Sequence, residues 1–502
     1  MSIDDVHGSR NLTRYRLRFG RGIEVSSCGL VTLSEGMASL LPMTIDSPLR
    51  WTRGSLLWIW IFVGFLALYS INGRSIAEVD CDVAPYAAWN IVRHGSFDVS
   101  AYPVTRALEG AAAIRTRNGL LVSKYPPGST LAAIPFVAPL ASFQAEPLSK
   151  RSRMRRLGKL IASSYVAATI VLIWAMIRRL APSAAVPATL LAGAGTMLWS
   201  TASQGFWAHG PATFFLALSL FLLLGNRNDL SLVTVACAGI CLGMAILSRP
   251  TTGLFAVASV LGLLFGKRWR ESVVLIATVS VIGGLLVAYN QHYFGNFLAG
   301  GYLEEASAWS TPLHVGLWGL LVAPSRGLLV YIPAFILLPL GLIRLAAGSP
   351  ESADERRMVA AWIGATAATV LVYAKWHAWW GGWTFGPRFL IEAIPVWVLL
   401  FAFAYQYVCD RWGANGRRVA WFLILASVTV QFVGVFGYHV DWMDSHGAAD
   451  MFSLDDTQIG SRVRVLIAKR PVSVLLPILV IVGTFVRCRH VARQREPDPT
   501  IS

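Results

Sequence analysis

The chain has 502 residues, 55% of them hydrophobic and 14% charged, with a mean hydropathy of +0.56. Soluble domains carry about a quarter charged residues, so this composition excludes a soluble multi-domain protein and points to one polytopic membrane domain. A formal charge of +16 and a pI near 9.9 would suit nucleic acid, but the Arg residues stand between apolar runs, where they read as topology signals and anionic-lipid contacts; no nucleic-acid partner is expected. Six Cys without a CxxC spacing give no disulfide framework and no zinc pattern, and no divalent metal is evident.

Residues 1–50 are polar, Arg-rich and aperiodic, and are expected to form a flexible cytoplasmic tail. Met43 opens a short basic leader before the first apolar run and is a candidate alternative start. A single membrane domain is expected over 51–490, followed by a cytoplasmic tail, 491–502.

Thirteen apolar runs follow: 55–72, 128–145, 157–177, 184–200, 208–224, 230–247, 251–266, 272–289, 327–345, 358–374, 389–408, 419–437 and 472–486. Lys and Arg in short loops orient them. Arg14–Arg21, Arg356–Arg357, Arg411–Arg418 and Arg487–Arg495 are placed in the cytoplasm, and the loops 72–128, 291–325, 375–388 and 439–470 outside. The candidates between the first and second external loops are one too many for both loops to face out. One run must fail to cross, or two must fuse; 184–224, broken by "WSTASQGFWAHGP", is the suspect.

The first external loop begins "EVDCDVAPYAAWNIVRHGSFDV". Asp80 and Asp82 stand close to the end of the first run, and an interfacial helix is expected over Val83–His94. A carboxylate at the membrane surface is the right group to deprotonate an acceptor hydroxyl or amine. The loop ends "SKYPPGSTL", where Pro126 and Pro127 fix an extended entry and Gly128 allows close backbone approach. Lys124 stands at headgroup depth, where a lipid phosphate would lie, and Tyr125 beside it.

Further along, His209 in "FWAHGP", Arg249 in "SRPTTG", Tyr302 with Glu304 and Glu305 in "GGYLEEAS", and Arg326 in "SRGLL" occupy loop or boundary positions. Then "KWHAWWGGWTFGPRFL" packs Trp379, Trp380 and Trp383 around paired glycines before Arg388. Sugar faces stack on aromatic rings, and fixed guanidinium groups stabilise a leaving phosphate. The run interiors look almost free of ionisable residues, whereas transporters need such groups at mid-depth. The last loop, "YHVDWMDSHGAADMFSLDDTQIGSRV", matches no metal spacing.

An acidic-x-acidic pair, an interfacial helix and a "YPPG" re-entry resemble the GT-C superfamily of polyprenyl-phosphate-sugar-dependent glycosyltransferases, which includes protein O-mannosyltransferases and aminoarabinose transferases. "SRGLLVYIP" and "WGGWTFGPRFLIEAIP" resemble a bacterial branch of it; the likeness covers about residues 70–400. The resemblance implies an all-α GT-C-like bundle of about 11 to 13 transmembrane helices with interfacial helices in the first external loop. It implies an inverting transfer from a polyprenyl-phosphate sugar at the periplasmic face of a bacterial inner membrane. Asp80 or Asp82 would be the catalytic base, with Lys124, Tyr125, His209, Arg249, Tyr302, Glu304, Arg326, Trp379, Trp380, Trp383 and Arg388 binding substrate. The lipid-linked donor is a co-substrate and no cofactor is certain; the acceptor is an envelope glycan, lipid or protein, and membrane lipids are partners. A flippase or transporter of lipid-linked saccharide, and a surface-polysaccharide polymerase or ligase, are the alternatives.

Overall fold

The computed structural model describes residues 53–469, apart from 145–146, 149, 226–229, 306–307, 349–351 and 439–440. The two tails and the run 472–486 lie outside the described residues. Apolar composition over uninterrupted stretches dictates helix, because a backbone out of water must satisfy its own hydrogen bonds. Among the described residues four helical segments, Arg151–Leu180, Trp269–Phe294, Ala353–Lys375 and Arg388–Phe436, are long and apolar enough to cross a membrane, and eight shorter apolar helices accompany them.

In chain order the helices are α1 (Arg53–Ser70), α2 (Val83–His94), α3 (Gly128–Phe143), α4 (Arg151–Leu180), α5 (Ala185–Ala194), α6 (His209–Leu223), α7 (Leu232–Ser248) and α8 (Gly253–Phe265). They continue with α9 (Trp269–Phe294), α10 (Leu313–Val322), α11 (Leu338–Ala346), α12 (Ala353–Lys375), α13 (Ile394–Phe436) and α14 (Gln458–Lys469). A two-stranded antiparallel ribbon, β1 (Ala113–Arg115) and β2 (Leu121–Ser123), sits in the first loop. Helix α13 is broken at Gly413, whose φ of +53° is not helical. The chain doubles back there, so Gly434 meets Phe385 just ahead of the helix's own start.

Contacts between loops define two ends of the bundle. At one end, which carries the first loop, Ile76 N donates to Gln204 O at 2.8 Å and Arg326 Nη1 to Thr384 O at 2.7 Å. At the far end Arg179 pairs with Glu355, Arg268 with Asp354 (3.1 Å) and Arg344 with Asp410 (2.8 Å).

These ends relocate the break in the topology. Segment 184–204 connects both: Ser183 accepts from Gln406 near the far end, and Gln204 meets Asn72 near the other. Instead α3 fails to reach the far end. Gly128 packs directly on Leu247 and Ser248, Arg93 donates to Ala141 O at 3.2 Å, and Arg151 is back at Asp82 only eight residues after the helix ends. Pro135 and Pro139 inside α3 remove two backbone donors. Helix α3 therefore lies along α2, with Trp89, Ala133, Val137 and Ile161 in one buried cluster.

Two charges stand just inside the ends of runs: Lys159 in α4 and Glu392 in the turn Arg388–Ala393, both buried. The segment read as a loop to Arg470 contains α14, whose Gln458 and Arg462 are buried against the bundle.

Candidate active site

The acidic pair of the first loop is split by its surroundings. Asp82, whose side chain is 1% exposed, is held by two guanidinium groups one turn apart on α4: Arg151 Nη2 at 2.5 Å and Arg155 Nε at 2.7 Å. Both carboxylate oxygens are engaged, and the ion pair staples the first loop to α4. Asp80 faces the other way and is 25% exposed. It accepts from Tyr125 Oη at 2.6 Å and from Arg388 Nη1 at 3.1 Å.

Arg388 reaches Asp80 because the preceding loop turns tightly. Gly381 and Gly382 have φ of +81° and +67°, and a Cβ on Gly381 would stand 3.0 Å from Arg388 Cγ. The guanidinium lies over the rings of Trp207 (5.0 Å) and Phe389 (5.3 Å), a geometry that stabilises a partly desolvated cation. Lys124 stands over Tyr302 at 5.7 Å, and the Tyr302 and Tyr125 rings meet edge to face at 6.0 Å. Burial, then the neighbouring Asp80 charge, pushes the Tyr125 phenol far above its ordinary range, so it acts as a donor. Burial likewise raises Tyr302.

Beside this group lies a second one. Arg249 Nε is 2.8 Å from Glu392 Oε1, which also meets His209 Nδ1 at 2.8 Å. Arg249 Nη1 is 3.4 Å from His209 Nε2, and its Nη2 donates to Tyr373 Oη. Asp80, Lys124, Tyr125, Tyr302, Arg388, Arg249 and His209 thus form one contiguous set. On the other side of Asp80, Glu78 accepts from Tyr438 Oη at 2.6 Å; burial raises its carboxyl pKa against that hydrogen bond and the Arg155 charge.

The remaining expected residues are placed elsewhere. Arg326 is fully buried, and its guanidinium is taken up by Thr384 O (2.7 Å), Gly382 O (2.8 Å) and Gln458 Oε1 (2.5 Å). It braces the Trp-rich loop, and none of these hydrogen-bond partners belongs to the Asp80 group. Trp379 is buried against Gly319 and Phe452, half-buried Trp380 packs edge-on to it, and Trp383, 50% exposed, donates to Asp444 at 2.8 Å. Glu304 lies in the turn Gly300–Glu305, its side chain outside the described residues. Among the described residues no group of three His, Cys, Asp or Glu is placed to hold a metal.

Sequence reading missed Glu392 and Tyr373. Glu392 carried a usable signal: a carboxylate four residues after Arg388 inside an apolar run is costly unless paired. Tyr373, in an apolar helix, carried none.

Residues 148–290 match the model of the family described as dolichyl-phosphate-mannose-protein mannosyltransferase. The match spans α4 to α9, including Arg155, His209 and Arg249, and leaves Asp80 and Arg388 outside. Among solved structures the chain is similar to ArnT from Cupriavidus metallidurans bound to undecaprenyl phosphate, with 14% identity, a TM-score of 0.46, and coverage of 82% of this chain and 76% of that one. The apo form of the same protein gives 13%, 0.47, 79% and 68%. The Archaeoglobus fulgidus oligosaccharyltransferase, in complex with Zn and sulfate, gives 14%, 0.44, 75% and 52%. No curated protein sequence matches the chain.

Proposed function

We propose that the protein is a membrane glycosyltransferase of the GT-C type that transfers a sugar from a polyprenyl-phosphate donor to an acceptor hydroxyl or amine. The carrying observation is the Asp80–Arg388 pair: a part-exposed carboxylate able to take a proton stands 3.1 Å from a guanidinium suited to a phosphate. The family match over residues 148–290 and the sequence motifs support the same class.

In this reading Asp80 accepts the acceptor's proton as its oxygen or nitrogen attacks the anomeric carbon. The bond from that carbon to the phosphate oxygen breaks on the opposite face, so configuration inverts. The electron pair leaves with the lipid phosphate, whose growing charge Arg388, Arg249 and Lys124 stabilise. Both Asp82 oxygens are engaged by Arg151 and Arg155, which supports reading Asp80 as the base.

The site end is read as periplasmic. The far end carries Arg178, Arg179, Arg268, Arg344, Arg356, Arg357, Arg411, Arg417 and Arg418, the cytoplasmic signature. Among the described residues, eleven segments are read as running between the ends: α1, α4, 184–204, α6, α7, α8, α9, 328–346, α12 and the two halves of α13. Helices α2 and α3 would then lie at the interface.

Membrane vesicles supplied with a radiolabelled polyprenyl-phosphate sugar test the reading. Sugar leaves the lipid only when the protein is present and an acceptor extract is added; donor that stays intact, or merely changes leaflet, refutes it.

A further inference from the structure

The His209–Glu392 pair has no part in the chemistry above, yet it is among the most deeply buried polar contacts in the protein. His209 and Glu392 side chains are 2% and 3% exposed, and Arg249 is 16% exposed. A buried carboxylate beside a site that must receive an anion is unfavourable unless its charge is fully used. Here one oxygen serves two partners: Glu392 Oε1 is 2.8 Å from both His209 Nδ1 and Arg249 Nε. An Nδ1–H donated to Glu392 leaves His209 Nε2 as the acceptor facing Arg249 Nη1 at 3.4 Å. The third side is closed by Tyr373, which accepts from Arg249 Nη2, exchanges a hydrogen bond with Thr251 Oγ1 at 2.8 Å, and stacks flat on Phe389 at 4.6 Å.

A guanidinium has five N–H donors in a rigid plane. Glu392 pairs with Arg249 Nε as an ion pair without hydrogen-bond geometry, while His209 and Tyr373 each take up one N–H, on Nη1 and Nη2. Among the described residues, each terminal nitrogen keeps one N–H without a partner, and donors on two guanidinium nitrogens suit two oxygens of a phosphate. Arg249 and Arg388 lie against the same Phe389 ring, at 5.8 and 5.3 Å, so the two guanidinium groups are neighbours.

We propose that Glu392 and His209 are positioning residues, a buried clamp that fixes the plane of Arg249 so that it acts with Arg388 as a two-guanidinium cradle for the donor's phosphate. The inference rests on the lipid-phosphate donor reading. It goes further in assigning two residues that touch neither substrate nor reacting atoms, and in making Arg249 a preorganised ligand instead of a helix anchor.

The test is binding of sugar-free undecaprenyl phosphate to the purified full chain in detergent, followed by tryptophan fluorescence and by the shift in melting temperature. The wild type binds; Arg249→Met and Glu392→Gln each bind about tenfold to a hundredfold more weakly, and Glu392→Asp recovers part of the loss. Because Glu392→Gln strands a buried cation, the double variant Arg249→Met, Glu392→Gln is made as well. It removes both charges, melts close to wild type, and binds no more weakly than Arg249→Met alone, since a clamp has no effect once its client is gone. In turnover, the clamp variant raises donor KM more than it lowers kcat. Absence of binding by the wild type overturns the donor reading and this inference with it. With wild-type binding intact, Glu392→Gln binding like wild type, or losses that add in the double variant, overturns the clamp alone.

Discussion

Asp80 and Arg388 stand 308 residues apart in the chain and 3.1 Å apart in the structure. The contact ties the first loop to the turn that opens α13, and it means that each group masks the other's charge. A lipid phosphate that takes Arg388 leaves Asp80 free to accept a proton.

Arg388→Ala therefore removes a charge-assisted contact worth roughly 1.5 to 3 kcal/mol to the donor phosphate, and donor KM rises about tenfold to a hundredfold. Arg388→Lys recovers only part, because an ammonium lacks the planar fork. Steady-state kinetics against donor concentration checks this; equal KM in all three proteins returns Arg388 to a structural role.

Arg326 behaves differently. Arg326→Ala leaves Gly382 O buried without its donor, at a cost of about 1 to 3 kcal/mol, and removes one donor from Thr384 O, which keeps Gln458 Nε2, and one from Gln458 Oε1, which keeps Tyr331 Oη. The expected outcome is a lowered melting temperature with unchanged donor KM in the folded fraction. A raised KM at unchanged stability would restore the phosphate role read from sequence.

The first loop has its own acid sensitivity. Burial pushes the Asp98 carboxyl up, but hydrogen bonds from Ser100 Oγ, Ser100 N and Leu121 N outweigh it and hold the pKa below its ordinary value. A depressed carboxylate contributes stability that is present above the unfolded pKa of about 3.9 and is lost as pH falls through the lower folded value. Pepsin cleavage within residues 95–123 should rise as pH falls below about 4, and Asp98→Asn should flatten that dependence. A profile identical in the two proteins would contradict it.

Sidedness is open to labelling. The exposed positions Ser310 and His377 lie at the site end and Ala414 at the far end; Cys81 and Thr384 are buried and make poor probes. With the six native cysteines replaced by Ser, Ser310→Cys and His377→Cys react with an impermeant thiol reagent in intact spheroplasts, whereas Ala414→Cys reacts only after permeabilisation. Reaction of Ala414→Cys in intact cells would reverse the orientation.

Much of the site was legible because its residues break local rules. Asp80, Arg249 and Arg388 are ionisable groups at the edges of apolar runs, a costly placement that needs a reason, and the structure brings them together with Lys124, Tyr125, Tyr302 and His209. Helix α2 was read at its observed limits, Val83–His94, because Gly95, with φ of +66°, ends it as glycine does. Arg326 is bonded outside that set, to Thr384 O and Gly382 O, and an Arg beside Gly in a boundary motif looks the same whether it meets phosphate or backbone carbonyls. Helix α3 misled for a related reason: sixteen apolar residues satisfy a span pattern, and only Arg151 returning to Asp82 reveals that the chain never left the site end. No local pattern pairs residue 82 with 151 and 155.

The central claim is that Asp80, and not Asp82, is the base. The direct measurement is the single-turnover rate of sugar transfer from a polyprenyl-phosphate donor by folded Asp80→Asn and Asp82→Asn proteins, each normalised to protein that melts cooperatively. Asp80→Asn should lose about 10² to 10⁴ in rate in the fraction that folds, the usual cost of a lost general base. Asp82→Asn removes the ion pair that staples the first loop to α4, lowers the melting temperature, and still transfers sugar in whatever fraction folds. A near-wild-type rate in Asp80→Asn, or a fully folded Asp82→Asn protein with no transfer, would contradict the account.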